Sequence, residues 1–174
     1  MRLVKTLPLL LSLSAALGSA SALALPNDRD QPIRIQADNA HLDDKQGVAT
    51  YTGDVIITQG SMMIKGNTVT ITRAASGDID VVTSVGNLAY FEQQQSAAKP
   101  EKMKGWAVNI QYQAQKDMVI LTDRAKVENE GNTTEGEKIV YNTKTQVATA
   151  GRGGNVTAPR QRIDMVIQPK KKAE

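Results

Sequence analysis

Few residues in this chain have types that do covalent or metal chemistry. Among 174 residues there is one histidine, His41, and no cysteine. Zinc sites and Ser-His or Cys-His nucleophiles therefore lack their parts. His41 alternates with Ala40 and Leu42 in a strand-like run, which places it on a surface. Two acidic pairs, Asp43-Asp44 and Asp78 with Asp80, carry the right groups for calcium or for a shared proton. Neither has the spacing of a calcium loop, and both sit in turn-like segments, where aspartate caps the backbone. Gly151-Arg152-Gly153-Gly154 has the glycines of a phosphate cradle but no strand-loop-helix context, so it reads as a turn. No metal and no cofactor is expected, and the chain is not expected to be an enzyme.

What remains is an apolar face, and the elements that must build it are strands. Ala49 to Ile71 is the clearest of them. Tyr51, Gly53, Val55 and Ile57 recur at every second position, with Thr50, Thr52 and Thr58 between, which is the period of a strand with one buried side. Gln59-Gly60-Ser61 predicts a reversal, with Gly60 free to take positive φ. Alternation resumes at Met62 and Ile64, pauses at Gly66-Asn67, and returns at Val69 and Ile71. A glycine inside a strand pattern marks a bulge or bend, so the return strand is expected to be kinked.

The same texture runs through most of the chain. Ile33 and Ile35 start a strand behind Pro32, and Asp43 to Gly47 is a polar turn. Arg73 to Asp78 reads as a loop, and Val81 to Phe91 as a strand pair or one bent strand broken at Gly86-Asn87. Gln93 to Lys102 reads as a long hairpin loop. Shifting Leu42–Ile57 by 70 residues lays Tyr51 on Leu121, Val55 on Ala125 and Leu42 on Tyr112. A further shift of 29 lays Tyr112 on Tyr141, and the same shift puts Ile35–Leu42 on Ile64–Ile71. Such self-similarity predicts meandering strands, not an α/β fold. Arg162 to Gln168, with Ile163, Met165 and Ile167 alternating, is a last strand whose edge is free unless another chain pairs with it.

Met1 to Ala24 stands apart. Arg2 and Lys5 precede an apolar run from Leu7 to Leu17, and Ala22-Leu23-Ala24 fits a signal-peptidase site. That run is short of the roughly 20 residues a spanning helix needs. Removing these residues leaves 150, and the net charge falls from +3 to +1 because Arg2 and Lys5 go with them. Residues 25–168 are expected to form one domain, followed by a basic tail, 169–174, containing Lys170-Lys171-Lys172. Scattered charges of both signs argue against a nucleic-acid partner.

Aromatic residues are only 3% of the chain, so the inward positions are mostly Val, Ile, Met and Ala. Two sheets lined this way can leave room for flexible alkyl chains; a fully packed sandwich core is the other reading, and periodicity alone favours the packed core.

Tyr51-Thr52-Gly53-Asp54-Val55-Ile56-Ile57-Thr58-Gln59-Gly60, Ile64-Lys65-Gly66-Asn67, Gly86 with Ala89 and Phe91, Lys99-Pro100 before Gly105, and Tyr112 to Leu121 together resemble the LptA family. These are periplasmic lipopolysaccharide-transport proteins of Gram-negative bacteria with an OstA-like domain, and the likeness runs from Gln31 to about Gly151. It implies an all-β fold, an open twisted antiparallel jelly roll of about sixteen short strands bent into a V. It implies a bridge in the periplasm that passes lipopolysaccharide from inner-membrane to outer-membrane components. Homologous domains and further copies of the chain would stack on it head to tail. The alternating positions Ile33, Ile35, Tyr51, Val55, Ile57, Ile64, Val69, Phe91, Tyr112 and Leu121 are expected to line the lipid groove. Pro32 and Ile33 at one end, with Ile163, Met165 and Ile167 at the other, are expected to form the stacking edges. An edge-pairing assembly module without lipid, and a soluble carrier of single lipids, are the alternatives.

The free last strand generates a test. Truncation after Pro159 is expected to leave a folded monomer in sedimentation at concentrations where residues 25–174 form oligomers. Unchanged oligomers would place the joint elsewhere.

Overall fold

Alternation without helical spacing leaves the chain one way to bury its apolar side, which is to pair each strand with the next. The computed structural model describes residues 28–96, 99–152 and 162–169 and has this architecture. Its strands are β1 (Ile33–Gln36), β2 (Asn39–Asp43), β3 (Val48–Gln59), β4 (Met62–Arg73), β5 (Ile79–Ser96), β6 (Lys99–Gln113), β7 (Met118–Asn129), β8 (Asn132–Asn142), β9 (Val147–Gly151) and β10 (Asp164–Val166). Two short 3-10 turns cover Asp28–Asp30 and Ala114–Lys116. All ten strands belong to one antiparallel sheet in which β3 to β8 follow in chain order. The sheet does not close into a barrel. The proposed signal peptide and most of the basic tail lie outside the described residues.

The sheet is creased across its middle. β1 and β2 pair with the two halves of β3, and β10 and β9 pair with the two halves of β8. Between them, the register slips in β3 between Thr52 and Val55, in β4 between Lys65 and Thr68, in β5 between Val85 and Ala89, and in β7 between Thr122 and Ala125. β1 and β2 are thus one edge strand broken at Ala37-Asp38, where Asp38 N–H donates to the carbonyls of Thr52 and Gly53 at 3.1 and 3.2 Å. The expected sixteen short strands appear as ten, because six of them, β3 to β8, run unbroken through the crease. Cut there, each counts twice.

Bulges create the crease, and left-handed backbone marks those in β3 and β7. Gly53 and Asp54 in β3 have φ of 85° and 40°, and Asp123 and Arg124 in β7 have 64° and 54°. These two pairs are 70 residues apart, so the sequence repeat records the same bulge built twice. At a slip, the inward parity changes on the neighbouring strand. β4 buries Met62 and Ile64 before it and Val69 and Ile71 after it.

Two wings result, and their apolar faces meet. The first wing holds β1, β10 and the halves of β3 to β8 around Ile57, Ile64 and Phe91; the second holds β2, β9 and the halves around Tyr51, Val82 and Tyr112. Phe91 and Tyr112 touch across the gap with ring centroids 6.1 Å apart. One apolar cluster spans both wings. Small residues follow the crease, where the wings converge: Ala89 pairs with Ala107, and Ala125 with Gly136, all buried.

On the outer face of the first wing a cross-strand row runs Lys65, Tyr90, Trp106, Lys126, Glu135. Lys65 Nζ sits 5.8 Å from the Tyr90 ring, Tyr90 and Trp106 pack at 5.4 Å, and Lys126 pairs with Glu135 at 2.8 Å. The aromatic Tyr90–Trp106 pair adds about 0.2–1 kcal/mol, and the row lies on a face that water wets.

Two expectations need correction. Gln93 to Lys102 is not a long loop: β5 runs to Ser96 and β6 starts at Lys99, with Gln93 opposite Met103. Its glutamines belong in a strand because their amides find partners, as Gln93 Nε2 does on Asp28 at 2.8 Å. Leu42, matched by the repeat to buried Tyr112, is 56% exposed. It lies on edge strand β2, which among the described residues has a neighbour on one side only.

The crease generates a second test. A Cβ on Gly66 would stand 2.2 Å from Ser84 Oγ and 2.9 Å from the Val85 carbonyl oxygen, whereas one on Gly151 meets nothing within 4 Å. Ser84 is fully buried and donates to the Lys65 carbonyl at 2.9 Å. Gly66→Ala is expected to lose about 1–3 kcal/mol in denaturant unfolding, and Gly151→Ala less than about 0.5 kcal/mol.

Candidate functional site

The ten groove positions proposed from alternation all come to the space between the wings, at two depths. Val55, Ile64, Val69, Phe91 and Leu121 are fully buried in the shared core. Ile33, Ile35, Tyr51, Ile57 and Tyr112 line a cleft of about 580 Å³ near the β1–β2 edge. Ile33 is 39% exposed at its mouth, and Ile35 and Tyr51 pack partly buried against the core. The deep positions have neighbours from strands on both sides and from the facing wing. The cleft exists because the edge strand is short and broken, so less material covers the interior there.

Met62, Ile71, Ile79 and Val82 complete the apolar walls. Met62 and Ile71 continue the alternation of β4 on either side of the Gly66-Asn67 pause. Alternation missed Val82, which shares β5 with Phe91 but has the opposite parity because the register slips between them. Arg29, Asp30, Arg73, Asp78 and Gln115 form a polar rim. The N-terminal turn that supplies the first two carries no alternation, and its partners are far away in sequence.

That turn is tied to both wings. Asp28 accepts from the Ser61 amide and hydroxyl, each at 2.7 Å, and from Gln93 Nε2. Gln59 Nε2 donates to the carbonyls of Arg29 and Gln31 at 3.1 Å. From the same turn, Arg29 donates to the Ala114 carbonyl and to Asp117 on the second wing. Burial pushes the Tyr112 phenol up, and the Arg29 guanidinium beside it works in the opposite direction. Burial, with help from Glu130, pushes the Tyr141 phenol up to about 12. Both rings therefore stay neutral in ordinary buffers and belong to an uncharged interior.

The candidate chemical residues behave as turn and surface groups. His41 is exposed in β2. Asp43 accepts from the Gln46 amide at 3.0 Å, and Asp78 from the Ser76 hydroxyl at 2.8 Å. Among the described residues, no group of three His, Cys, Asp or Glu gathers as a metal site would require. Gly151-Arg152-Gly153-Gly154 lies partly outside the described residues. At the sheet edges, Pro32 is exposed beside β1, and Ile163, Met165 and Ile167 are exposed on and around β10, Ile167 at 74%.

Chemically, the arrangement offers an apolar interior with a wet rim. The sequence profile of the LptA/(LptD N-terminal domain) LPS transport protein family matches residues 34–147. The chain is 60% identical to the lipopolysaccharide export system protein LptH of Pseudomonas aeruginosa, across the full length of both. It is 36% identical to the lipopolysaccharide export system protein LptA of Escherichia coli K12, over 87% of this chain and 83% of that one. The crystal structure of LptH, described as the LptA-homologous periplasmic component of the lipopolysaccharide transport device of Pseudomonas aeruginosa, superposes with a TM-score of 0.76. That match is 56% identical and covers 83% of this chain and all of that one.

The two depths generate a paired test. Leu121→Glu puts a carboxylate at a site with no exposure, whereas Ile57→Glu, at 2%, puts one against the cleft. A buried, unpaired charge is among the most damaging changes a core can take. Leu121→Glu is expected to lose more than about 4 kcal/mol or fail to fold, while Ile57→Glu melts at a modestly lower temperature. Equal losses would mean that the cleft is as closed as the core.

Proposed function

The chain belongs to the LptA/LptD N-terminal domain family of LPS transport proteins, and from that membership we propose that it is a lipopolysaccharide-binding link in an export route through the periplasm. Acyl chains enter between the two wings, and the sugars stay in water outside the mouth of the V. The single observation that carries this reading is the apolar cleft, which is continuous with the inter-wing core and rimmed by Arg29, Asp30, Arg73 and Asp78. Its volume lies within the roughly 300–1,000 Å³ of small-molecule sites. Sheltering an alkyl chain is worth about 0.8 kcal/mol per methylene, so about a dozen carbons give on the order of 10 kcal/mol. Walls of Ile, Val and Met hold such a chain without directional hydrogen bonds, which lets it slide. The role is that of a carrier, not a catalyst.

The sheet edges support the second half of the reading, head-to-tail stacking on homologous domains. Among the described residues β1 and β2 pair only with β3, and β9 and β10 only with β8. Unpaired edges recruit further strands. Pro32 and Ile33 flank one such edge, and Ile163, Met165 and Ile167 the other. The complete burial of Val69, Phe91 and Leu121 favours a second reading, in which the interior stays packed and the domain works through its edges alone.

Photo-crosslinkers separate the two. Residues placed at Ile35, Tyr51 and Ile57 are expected to capture lipopolysaccharide, and residues on the outer face, at Arg34, Thr58 and Gln113, are not. Equal capture from both sets would sink the interior site and leave the edge-pairing module.

A further inference from the structure

We infer that the N-terminal turn Asp28–Gln31 is a clasp across the mouth of the V, and that cargo enters the cleft only when the clasp lets go. The inference rests on the lipid-binding reading above and names how access to that site is controlled. The mouth is bounded by the strand tips: the β3–β4 reversal at Gly60-Ser61 on the first wing, and the Ala114–Lys116 turn between β6 and β7 on the second. One short turn is bonded to both. Asp28 grips Ser61 twice and Gln93 once on the first wing, at 2.7 to 2.8 Å. Arg29 reaches the Ala114 carbonyl and Asp117 on the second wing. Arg29 and Asp30 also line the cleft that the turn crosses.

These contacts are suited to holding and releasing. All are polar, and the Arg29–Asp117 pair is partly exposed, with side-chain accessibilities of 38% and 29%. Such contacts exchange for water at little net cost. No apolar side chain of the turn is buried, so its departure uncovers none of its own core. Gln93 Oε1 is buried beside the clasp without a partner among the described residues, an uncompensated cost in the closed state. The fit at Gly60 is close: a Cβ there would stand 2.2 Å from Asp28 Oδ1.

The test uses residues 25–174 with Arg29→Ala and, separately, Asp117→Asn, which keeps the shape of the socket and removes its charge. Lipopolysaccharide capture is followed by stopped flow with a fluorescent lipopolysaccharide, and folding by Trp106, the single tryptophan. Arg29→Ala, which removes both second-wing contacts, is expected to capture about tenfold faster than the parent, and Asp117→Asn, which weakens only the Arg29–Asp117 pair, about threefold faster, because contacts of this kind each shift an equilibrium several-fold. Their melting temperatures should stay near that of the parent. Unchanged capture rates in two folded variants, with binding intact, overturn the clasp and leave the proposed function standing. Absence of binding in parent and variants alike overturns both. A slower rate in both variants also overturns the clasp, since it would make the turn part of the binding surface.

Discussion

The structure depends on one constraint: a single meandering sheet must bury its apolar face against itself. There is no helix layer and no second domain among the described residues to cover it. The sheet therefore folds along a line that crosses every long strand, and each feature along that line serves the fold. Gly53-Asp54 and Asp123-Arg124 supply left-handed backbone, Gly66 lets Ser84 approach, and Ala89, Ala107 and Ala125 leave room for the wings to converge. The Phe91 and Tyr112 rings meet between the wings further from it.

The same geometry sets the gradient from packed core to open cleft. In the middle of the sheet each inward side chain is covered from its own wing and from the facing one, and Val69, Phe91 and Leu121 are sealed. Toward the β1–β2 edge the covering thins, because the edge strand is interrupted at Asp38 and has a neighbour on one side only. An apolar wall then meets water at Ile33. The polar turn at Asp28–Gln31 occupies that place and joins the wings with hydrogen bonds where apolar packing has run out.

Polar pairing on the outside complements this. The row from Lys65 to Glu135, with Glu92 held by Lys102 at 2.6 Å and by the Tyr90 hydroxyl at 2.7 Å, makes the outer face of the first wing rigid without making it adhesive. The Lys102 ion pair, the Tyr90 hydrogen bond and the nearby Lys65 hold the Glu92 carboxyl below its ordinary range, against the burial that raises it. Apolar exposure lies mostly at the sheet edges, at Ile33 in β1, Leu42 in β2, Val147 in β9 and Ile163, Met165 and Ile167 on and around β10, with Val85 and Leu88 also exposed in β5. Among the described residues, no further strand pairs with the outer sides of β1 and β2 or of β9 and β10.

The sequence by itself determined the strands and their reversals, because alternation and turn chemistry are local. The turn at Gly60 and the kink at Gly66-Asn67 stand in the structure as the pattern implies, and Tyr51, Val55 and Ile57 share the inward side although a two-residue bulge at Gly53-Asp54 interrupts the strand between them. The 70-residue repeat was legible too, although not its cause, which is a pair of left-handed bulges at Gly53-Asp54 and Asp123-Arg124. The resemblance to the LptA family was carried by motifs lying mostly on these local features. Tertiary structure alone decided the rest. Period-two reasoning counted from Phe91 places Val82 inward only once the crease has changed the parity, and a bulge is a property of two paired strands. The glutamines of Gln93 to Gln95 look like loop residues until strand partners and Asp28 are in place. Whether an inward residue meets the core or the cleft depends on how many strands flank it in space, so Leu121 and Ile57 look alike in sequence and differ in the fold. Asp28 and Arg29 give no sequence signal, since their partners Gln93 and Asp117 are brought to them only when the sheet folds on itself.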